Sequence, residues 1–376
     1  MVIGYLFSYK RTLITADQKN YKITPLLVLS NFLMTIFQII VLLVFKNYIL
    51  YLLVQTAFVV FENVIVNMYI NKCYPYLKDV DKAEKLKDDD LKDIKVNIKA
   101  LMFHKVGNYV LTATDNIVIS KFIGIVTVGI YSNYVLVHSA ISNFIYVFIS
   151  NATASFGNLI AEDNGEKRFK VFKEMDFIAY ALYGVSMVCL LFTFNPFIEF
   201  VFGSKFVLPF TVVMLIMINY YLVGLNQVPI IVQSAAGVYK YDKYVPLIEA
   251  AVNVVASVIL VQFMGLSGIL IGTLISYCLP LIIKPFVVFK YVLFKDIKLY
   301  FKSFGKQILT LIVACLISGI LISFIHVSLI LQIVINFLIS FIVPVLVIII
   351  VYRNTDEFLS FKDRFKFLFD KIRKRA

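Results

Sequence analysis

The sequence predicts an all-α polytopic transmembrane bundle of about ten spans, with N-terminus and C-terminus both cytoplasmic. Three observations predict it. Hydrophobic residues make up 61% of the 376, and the mean hydropathy is +0.88, whereas soluble domains are about 45–50% apolar. Apolar runs of about 20 residues recur along the whole chain, each long enough to cross about 30 Å of hydrocarbon as a helix. The charges fall between those runs. A transmembrane barrel is excluded because the runs are continuous rather than alternating.

The runs place spans at 24–45, 48–70, 105–121, 128–152, 176–195, 209–232, 245–263, 267–289, 306–326 and 330–352. The third is short and polar, and the charge pattern argues for it. With residues 1–23 cytoplasmic, the cytoplasmic loops hold 33 of the 36 Lys and Arg, and Lys46, Lys121 and Lys205 fall in external turns. The positive-inside rule then fixes the orientation and requires an even number of spans, which counting 105–121 supplies.

The net charge of +13 invites a nucleic-acid partner. Its distribution over short loops between spans argues against one. Cys73, Cys189, Cys278 and Cys315 show neither metal-ligand spacing nor a disulfide framework, and read as small hydrophobes. The opening "MVIGYLFS" is too short for a signal core or a span; it resembles the last turns of a helix. Two further segments belong at the cytoplasmic surface. In the stretch 71–104, Ala83, Leu86, Ile94, Ile98 and Leu101 recur three to four apart with nearly balanced charge. The tail 353–376 aligns Phe358, Phe361, Phe365, Leu368 and Ile372 on one face. It is either an interfacial helix drawn to anionic lipid or an ordinary basic tail that happens to be helical.

Polar residues inside the spans line up instead of scattering. Lys105, Asn108, Thr112 and Asp115 share one helical face. Ser132, Ser139, Asn143, Tyr146 and Ser150 form a similar stripe, as do Gln55, Glu62 and Tyr69, then Asn219, Asn226 and Gln233, then Glu249 and Asn253. Single Asn, Ser and Gln residues are ordinary helix–helix glue. Glu249, near a span end, either snorkels, caps or lines a path. Asp115 and Glu62 are different, because an acid at membrane depth is rare and faces a bundle interior or a watery cavity. Together the stripes indicate a hydrated cavity between helices, as in a transporter. Pro209, Pro229, Pro246, Pro280 and Pro285 lie within or beside the C-terminal spans, and Gly268 with Gly272 allows two helices to approach closely.

An enzyme is not expected. The sequence has three histidines, His104, His138 and His326, of which His138 is expected to make a buried hydrogen bond. No nucleophile set, metal cluster or glycine-rich phosphate loop is visible in it. The longest external loop, around "NPFIEFVFGSKFVL", is small for an enzyme acting on an external glycan.

Four stretches, "FSYKRTLITADQKNY" (7–21), "DNIVISKFIGIVTVGIYSNY" (115–134), "NATASFGNL" (151–159) and "AAGVYKYDKYVPLIEAAVNVVASVIL" (235–260), carry a family resemblance. Together they resemble the O-antigen and capsule flippases of the multidrug/oligosaccharidyl-lipid/polysaccharide exporter superfamily, over nearly the whole chain. Members have two six-helix lobes around a central cavity, often with an extra helix pair, and move polyprenyl-diphosphate-linked sugar units between leaflets.

The resemblance implies a remnant of the first lobe at 1–70, an amphipathic linker at 71–104, a complete second lobe at 105–289, an extra helix pair at 290–352 and a basic tail at 353–376. Four first-lobe helices have no counterpart here, so an incomplete reading frame or gene remnant is expected. The implied activity is flipping of lipid-linked oligosaccharide across the bacterial plasma membrane for surface polysaccharide assembly. The implied partners are that substrate, membrane lipids and polysaccharide assembly proteins. No cofactor is expected; coupling to protons or sodium is. Path and coupling candidates are Asp115, Asn116, Glu62, Thr112, Asn108, Asn143, Asn226 and Glu249. Lys105 or Lys121 would meet the diphosphate, which needs a cationic partner. The alternatives are a membrane glycosyl-transfer enzyme or polymerase of the same pathway, a small-molecule exporter of the superfamily, and a structural partner for a complete flippase.

Overall fold

The computed structural model of the chain describes residues 10–17, 19–78, 88–161, 164–325 and 327–363. Every long element among them is a helix. The chain divides into two compact units, Met1–Asp90 and Leu91–Ala376.

In the first unit, residues 10–16 are helical and a 3-10 turn follows at Asn20–Lys22. Helices α1 (Thr24–Phe45) and α2 (Tyr48–Cys73) match the first two predicted spans. Lys46 adopts a left-handed φ of 49°, and the Asn47 side chain accepts from the amides of Ile49 at 2.8 Å and Leu50 at 3.3 Å. That cap satisfies donors the first turn of α2 would otherwise leave orphaned. A small cluster of Ile14, Ile23, Val66, Ile70 and Tyr74 ties the N-terminal helix to the end of α2. Beside it, Tyr74 donates to Asp17 at 2.7 Å and Lys10 to Asn71 at 2.7 Å.

The second unit holds α3 (Asp88–Phe122) from Leu91 onward, α4 (Ile125–Ser150), α5 (Ala152–Ala161), α6 (Gly165–Phe202), α7 (Phe210–Leu225), α8 (Gln227–Ala236), α9 (Val245–Met264), α10 (Leu266–Val288), α11 (Lys298–Ser323) and α12 (Leu329–Tyr352). Its axis is α6, which at 38 residues is about 57 Å long. It buries Tyr180, Tyr183, Val188, Phe194 and Ile198, and packs against α4, α7, α11 and α12.

Among the described residues, nine helical segments are long and apolar enough to cross a membrane: α1, α2, α4, α6, α7 with α8, α9, α10 with its following turn, α11 and α12. Their packing inverts that of a soluble protein. The helix α12 buries Asn336 and Ser340 while Ile330, Leu331, Val334 and Phe337 stay exposed. In lipid, apolar side chains need no shelter, whereas every polar group needs a protein partner. Asn336 accordingly donates to the Phe192 carbonyl of α6 at 2.9 Å, and Cys189 to the Ser340 carbonyl at 3.3 Å.

Several sequence expectations change. The segment 105–121 is helical but continuous with the end of the linker, within one 35-residue helix, α3, that is too polar to rank with the nine. Ile94, Ile98 and Leu101 are exposed, and α3 instead buries Ala100, His104, Gly107, Thr114 and Val118; Ala83 and Leu86 lie outside the described residues. The span 209–232 is two helices. Pro229 has no N–H for the Leu225 carbonyl and would clash with it, so the helix breaks at Asn226. Pro209 and Pro246 sit at helix starts, where a missing N–H costs nothing.

The expected external loop is mostly helix, because α6 runs to Phe202. The remaining turn is closed by Asn195, which accepts from the Tyr134 hydroxyl at 2.8 Å and donates to the Leu208 carbonyl at 3.0 Å. The Leu208 amide donates back to the Tyr134 oxygen at 2.9 Å. In the tail, Phe358 and Phe361 meet the Phe177 ring of α6 at 6.2 and 6.4 Å, so its first turns dock on protein; Phe365, Leu368 and Ile372 lie outside the described residues.

The tightest contact joins α9 to α10. A Cβ at Gly272 would stand 2.6 Å from the Ser257 backbone nitrogen, and one at Gly268 2.2 Å from the Leu260 carbonyl oxygen. Gly272→Leu is therefore expected to force the pair apart and destabilise the second unit by about 1–3 kcal/mol or more. Thermal unfolding in detergent measures it; an unchanged midpoint would contradict this packing.

Candidate functional site

Two polar assemblies lie inside the second unit. The first is a pocket of about 220 Å³ between α3, α4, α7 and α10. Asp115 lines it with Thr273, Tyr131, Tyr277, His138 and Asn143. The Asn253 side chain of α9 donates to Thr273 Oγ1 at 3.0 Å. Thr273 Oγ1 lies 3.1 and 3.3 Å from the two Asp115 oxygens and 3.1 Å from the Ile269 carbonyl. Its single proton serves one acceptor at a time. An ionised carboxylate outcompetes a neutral carbonyl, so the chain of donation runs Asn253 to Thr273 to Asp115.

This set has spare oxygen capacity. The Oδ1 atoms of Asn253 and Asn219 are buried, with no partner among the described residues. Asn219, which lines the pocket, donates its amide to the Leu270 carbonyl at 3.0 Å. A carboxylate, a hydroxyl and buried amide oxygens are hard donors suited to a proton, a water or a small hard cation. The pocket is wide enough for water and too small for an oligosaccharide, since drug-sized ligands already need about 300–1,000 Å³. His138 lies there too, with its ring edge-on to Tyr220 at 5.8 Å. Among the described residues it has no hydrogen-bond partner, contrary to expectation.

The second assembly was not anticipated. Asp242, in the turn before α9, has a side chain with no solvent exposure. Its Oδ1 accepts from Gln233 of α8 at 2.6 Å and from His104 of α3 at 3.1 Å. Its Oδ2 accepts from Lys284 of α10 at 3.3 Å. One carboxylate thus joins three helices. Lys284, which the charge pattern places in a loop, is buried inside α10, and its charge also acts on buried Glu249 of α9. Burial alone would raise the pKa of Asp242, but His104 and Lys284 outweigh it and hold it below the usual carboxylate value. Next to this clamp, α3 approaches α9 so closely that a Cβ at Gly107 would meet Pro246 at 2.6 Å.

The other candidates are spread out. Asn116, Lys105 and Asn108 are exposed on α3, and the Thr112 side chain lies outside the described residues. Lys121, also exposed, lies over the Phe122 ring at 5.8 Å. Lys105 and Lys121 stand about 24 Å apart along one helix, too far to hold one diphosphate together. Asn143 is exposed at the pocket edge, and its stripe-mates Ser132 and Tyr146 are exposed as well. Asn226 is buried at the break between α7 and α8. In the first unit, Glu62 lies 3.9 Å from Arg11.

Sequence periodicity gave the helix faces but could not pair them across the fold. Thr273 carried no signal beyond one hydroxyl in an apolar span. Asp242 and Lys284 looked like loop charges. A lysine one residue before a proline, inside an otherwise apolar run, was the signal available for Lys284.

No family model matches the sequence, and no curated relative does. Among solved structures, the chain is similar to a lipid II flippase, MurJ, in an inward closed conformation. The identity is 17% and the TM-score 0.52, over 86% of this chain and 66% of that one. The fold is therefore similar to that of this membrane protein, and the chain spans 66% of the length of that neighbour.

Asp242→Ala strands the buried Lys284 ammonium and is expected to cost about 3–5 kcal/mol, read as a lower unfolding temperature. The stabilisation by a carboxyl with a depressed pKa is present above its unfolded value and lost as pH falls through the folded one. The stability gap between wild type and Asp242→Asn should hold steady from about pH 7 to 5 and shrink only below about pH 4. A gap that closes near neutrality would contradict the clamp.

Proposed function

We propose that this chain is a flippase, or the greater part of one, for polyprenyl-diphosphate-linked oligosaccharide units. It would act in the bacterial plasma membrane, in assembly of a capsule- or O-antigen-type surface polysaccharide. The observation that carries the proposal is a polar, acid-lined pocket inside a helical lobe whose fold is similar to that of a lipid II flippase. The sugar specificity rests on the motif resemblance.

In this reading α3 to α10 form a complete lobe and α11 with α12 the extra pair. Transport proceeds by rocking of lobes around a central path, with the polyprenyl tail left in lipid. The pocket is too small for the glycan, so its task is coupling. Asp115 binds a proton or sodium ion, and Thr273 turns its hydroxyl between Asp115 and the Ile269 carbonyl as the site loads and empties. Because Asn253 and Thr273 belong to α9 and α10, occupancy of Asp115 changes how firmly α3 is held to that pair. A two-state shift of this kind needs a differential affinity between states, and a buried carboxylate supplies one. Lys105 or Lys121 is the diphosphate contact, one in each leaflet by their separation, which suits a lipid handed across the membrane.

The test is surface polysaccharide in a strain deleted for the locus and complemented with this chain, alone and extended upstream. Restoration is expected from at least one allele, and Asp115→Asn in that allele should cut export about tenfold or more, the loss of a charge-assisted site. Normal export by Asp115→Asn at all pH values would remove the coupling role. Failure of every wild-type allele would remove the flippase assignment.

A further inference from the structure

A second pocket, of about 340 Å³, opens where the start of α11 meets the lower part of α6 and the end of α12. It takes no part in the transport reading. Its charges can be accounted for one by one. Lys173 of α6 donates to Glu357 at 2.6 Å, and burial, which would raise the Glu357 pKa, is outweighed by that lysine. Asp176 is buried and accepts from Gln307 at 2.8 Å. Two cations remain, Lys302 and Lys306, one helical turn apart on α11. Neither has a carboxylate partner among the described residues. Lys306 lies 4.1 Å from the centre of the Tyr352 ring, which fixes the ammonium at the pocket wall without neutralising it. Between them stands Ser303, whose oxygen accepts from Gln307 at 3.5 Å, so that its own proton is left to donate.

The position of the pocket selects the ligand. Lys302 and Lys306 come just before the apolar part of α11, the depth at which phosphates of the adjacent leaflet lie. Immediately beyond, Leu309, Ile312, Val313 and Leu316 are exposed along the same helix, a surface for acyl chains. We propose that this pocket binds the phosphate headgroup of an anionic glycerophospholipid, with the Lys302 and Lys306 ammonium groups and the Ser303 hydroxyl on the phosphate and the acyl chains along α11. Phosphate is the recognised chemistry, and a membrane lipid rather than a soluble ion is its source. The aromatic floor of Phe172, Phe289 and Tyr300 gives the glycerol backbone an apolar seat.

The experiment is native mass spectrometry of the full chain in detergent, with phosphatidylglycerol or phosphatidylcholine added at equal concentration. Phosphatidylglycerol is expected to be retained about tenfold more strongly, as two lysines near a lipid phosphate warrant. The double variant Lys302→Gln/Lys306→Gln should lose that preference, and Lys302→Arg/Lys306→Arg should keep it. Lys298→Gln removes one charge from the same helix outside the pocket and should change retention less than twofold, whereas either single pocket variant, Lys302→Gln or Lys306→Gln, should change it more. The proposal is overturned if Lys298→Gln weakens retention as much as the single pocket variants, since the attraction is then diffuse. It is also overturned if the two lipids are held equally. Displacement of the lipid by millimolar inorganic phosphate or pyrophosphate would make a soluble anion the ligand and overturn the lipid assignment.

Discussion

The structure depends on a single constraint: inside hydrocarbon, a polar group has no water to turn to. A buried donor or acceptor of the second unit therefore turns to its own helix or to a neighbouring one for a partner. The Asp242 carboxylate meets that constraint in its most demanding form. It is a fully enclosed anion that persists because Gln233, His104 and Lys284 reach it from three helices. Removing any one donor leaves the others in an apolar surround, so α3, α8 and α10 are held at one place in the fold. The lobe is pinned there at its base, and glycines let α9 and α10 close together above.

The two polar assemblies divide the work. The Asp242 clamp sets one carboxylate with no solvent exposure against Lys284, His104 and Gln233. The Asp115 site opens on a pocket with room for water. A rigid base beneath an adjustable centre is what an ion-coupled movement requires, since a small load must be converted into a choice between two packings. The same contrast explains why α3 is the least apolar of the long helices: it lends His104 to one assembly and Asp115 to the other.

Much of this was legible in the sequence. Continuous apolar runs gave directly the nine helical segments long and apolar enough to cross a membrane among the described residues; the tenth expected span, 105–121, is helical but too polar to rank with them. The polar stripes of α7 and α8 face inward, since Asn219, Asn226 and Gln233 are buried; Glu249 of α9, left open between snorkelling, capping and lining a path, is buried with Asn253. The stripe on α4 divides: Ser139 and Asn143 line the Asp115 pocket, whereas Ser132 satisfies itself on the Val128 carbonyl at 2.7 Å and can face outward at little cost. Partners across the fold were beyond periodicity. Nothing local in the sequence says that Thr273 meets a residue 158 positions away, or that a lysine near the end of an apolar run bonds an aspartate in a turn. The linker stripe misled for a related reason. Ile94 and Ile98 have the right spacing, but α3 continues upward, and the burial of its lower part follows His104 and Gly107.

The most direct measurement is translocation of a polyprenyl-diphosphate-linked oligosaccharide by the purified protein in liposomes, with proton and sodium gradients imposed separately. The proposed mechanism predicts that one of the two gradients accelerates movement between leaflets, and that occupancy of a single carboxylate per chain governs the acceleration. Movement at the same rate with either gradient and with none would contradict it.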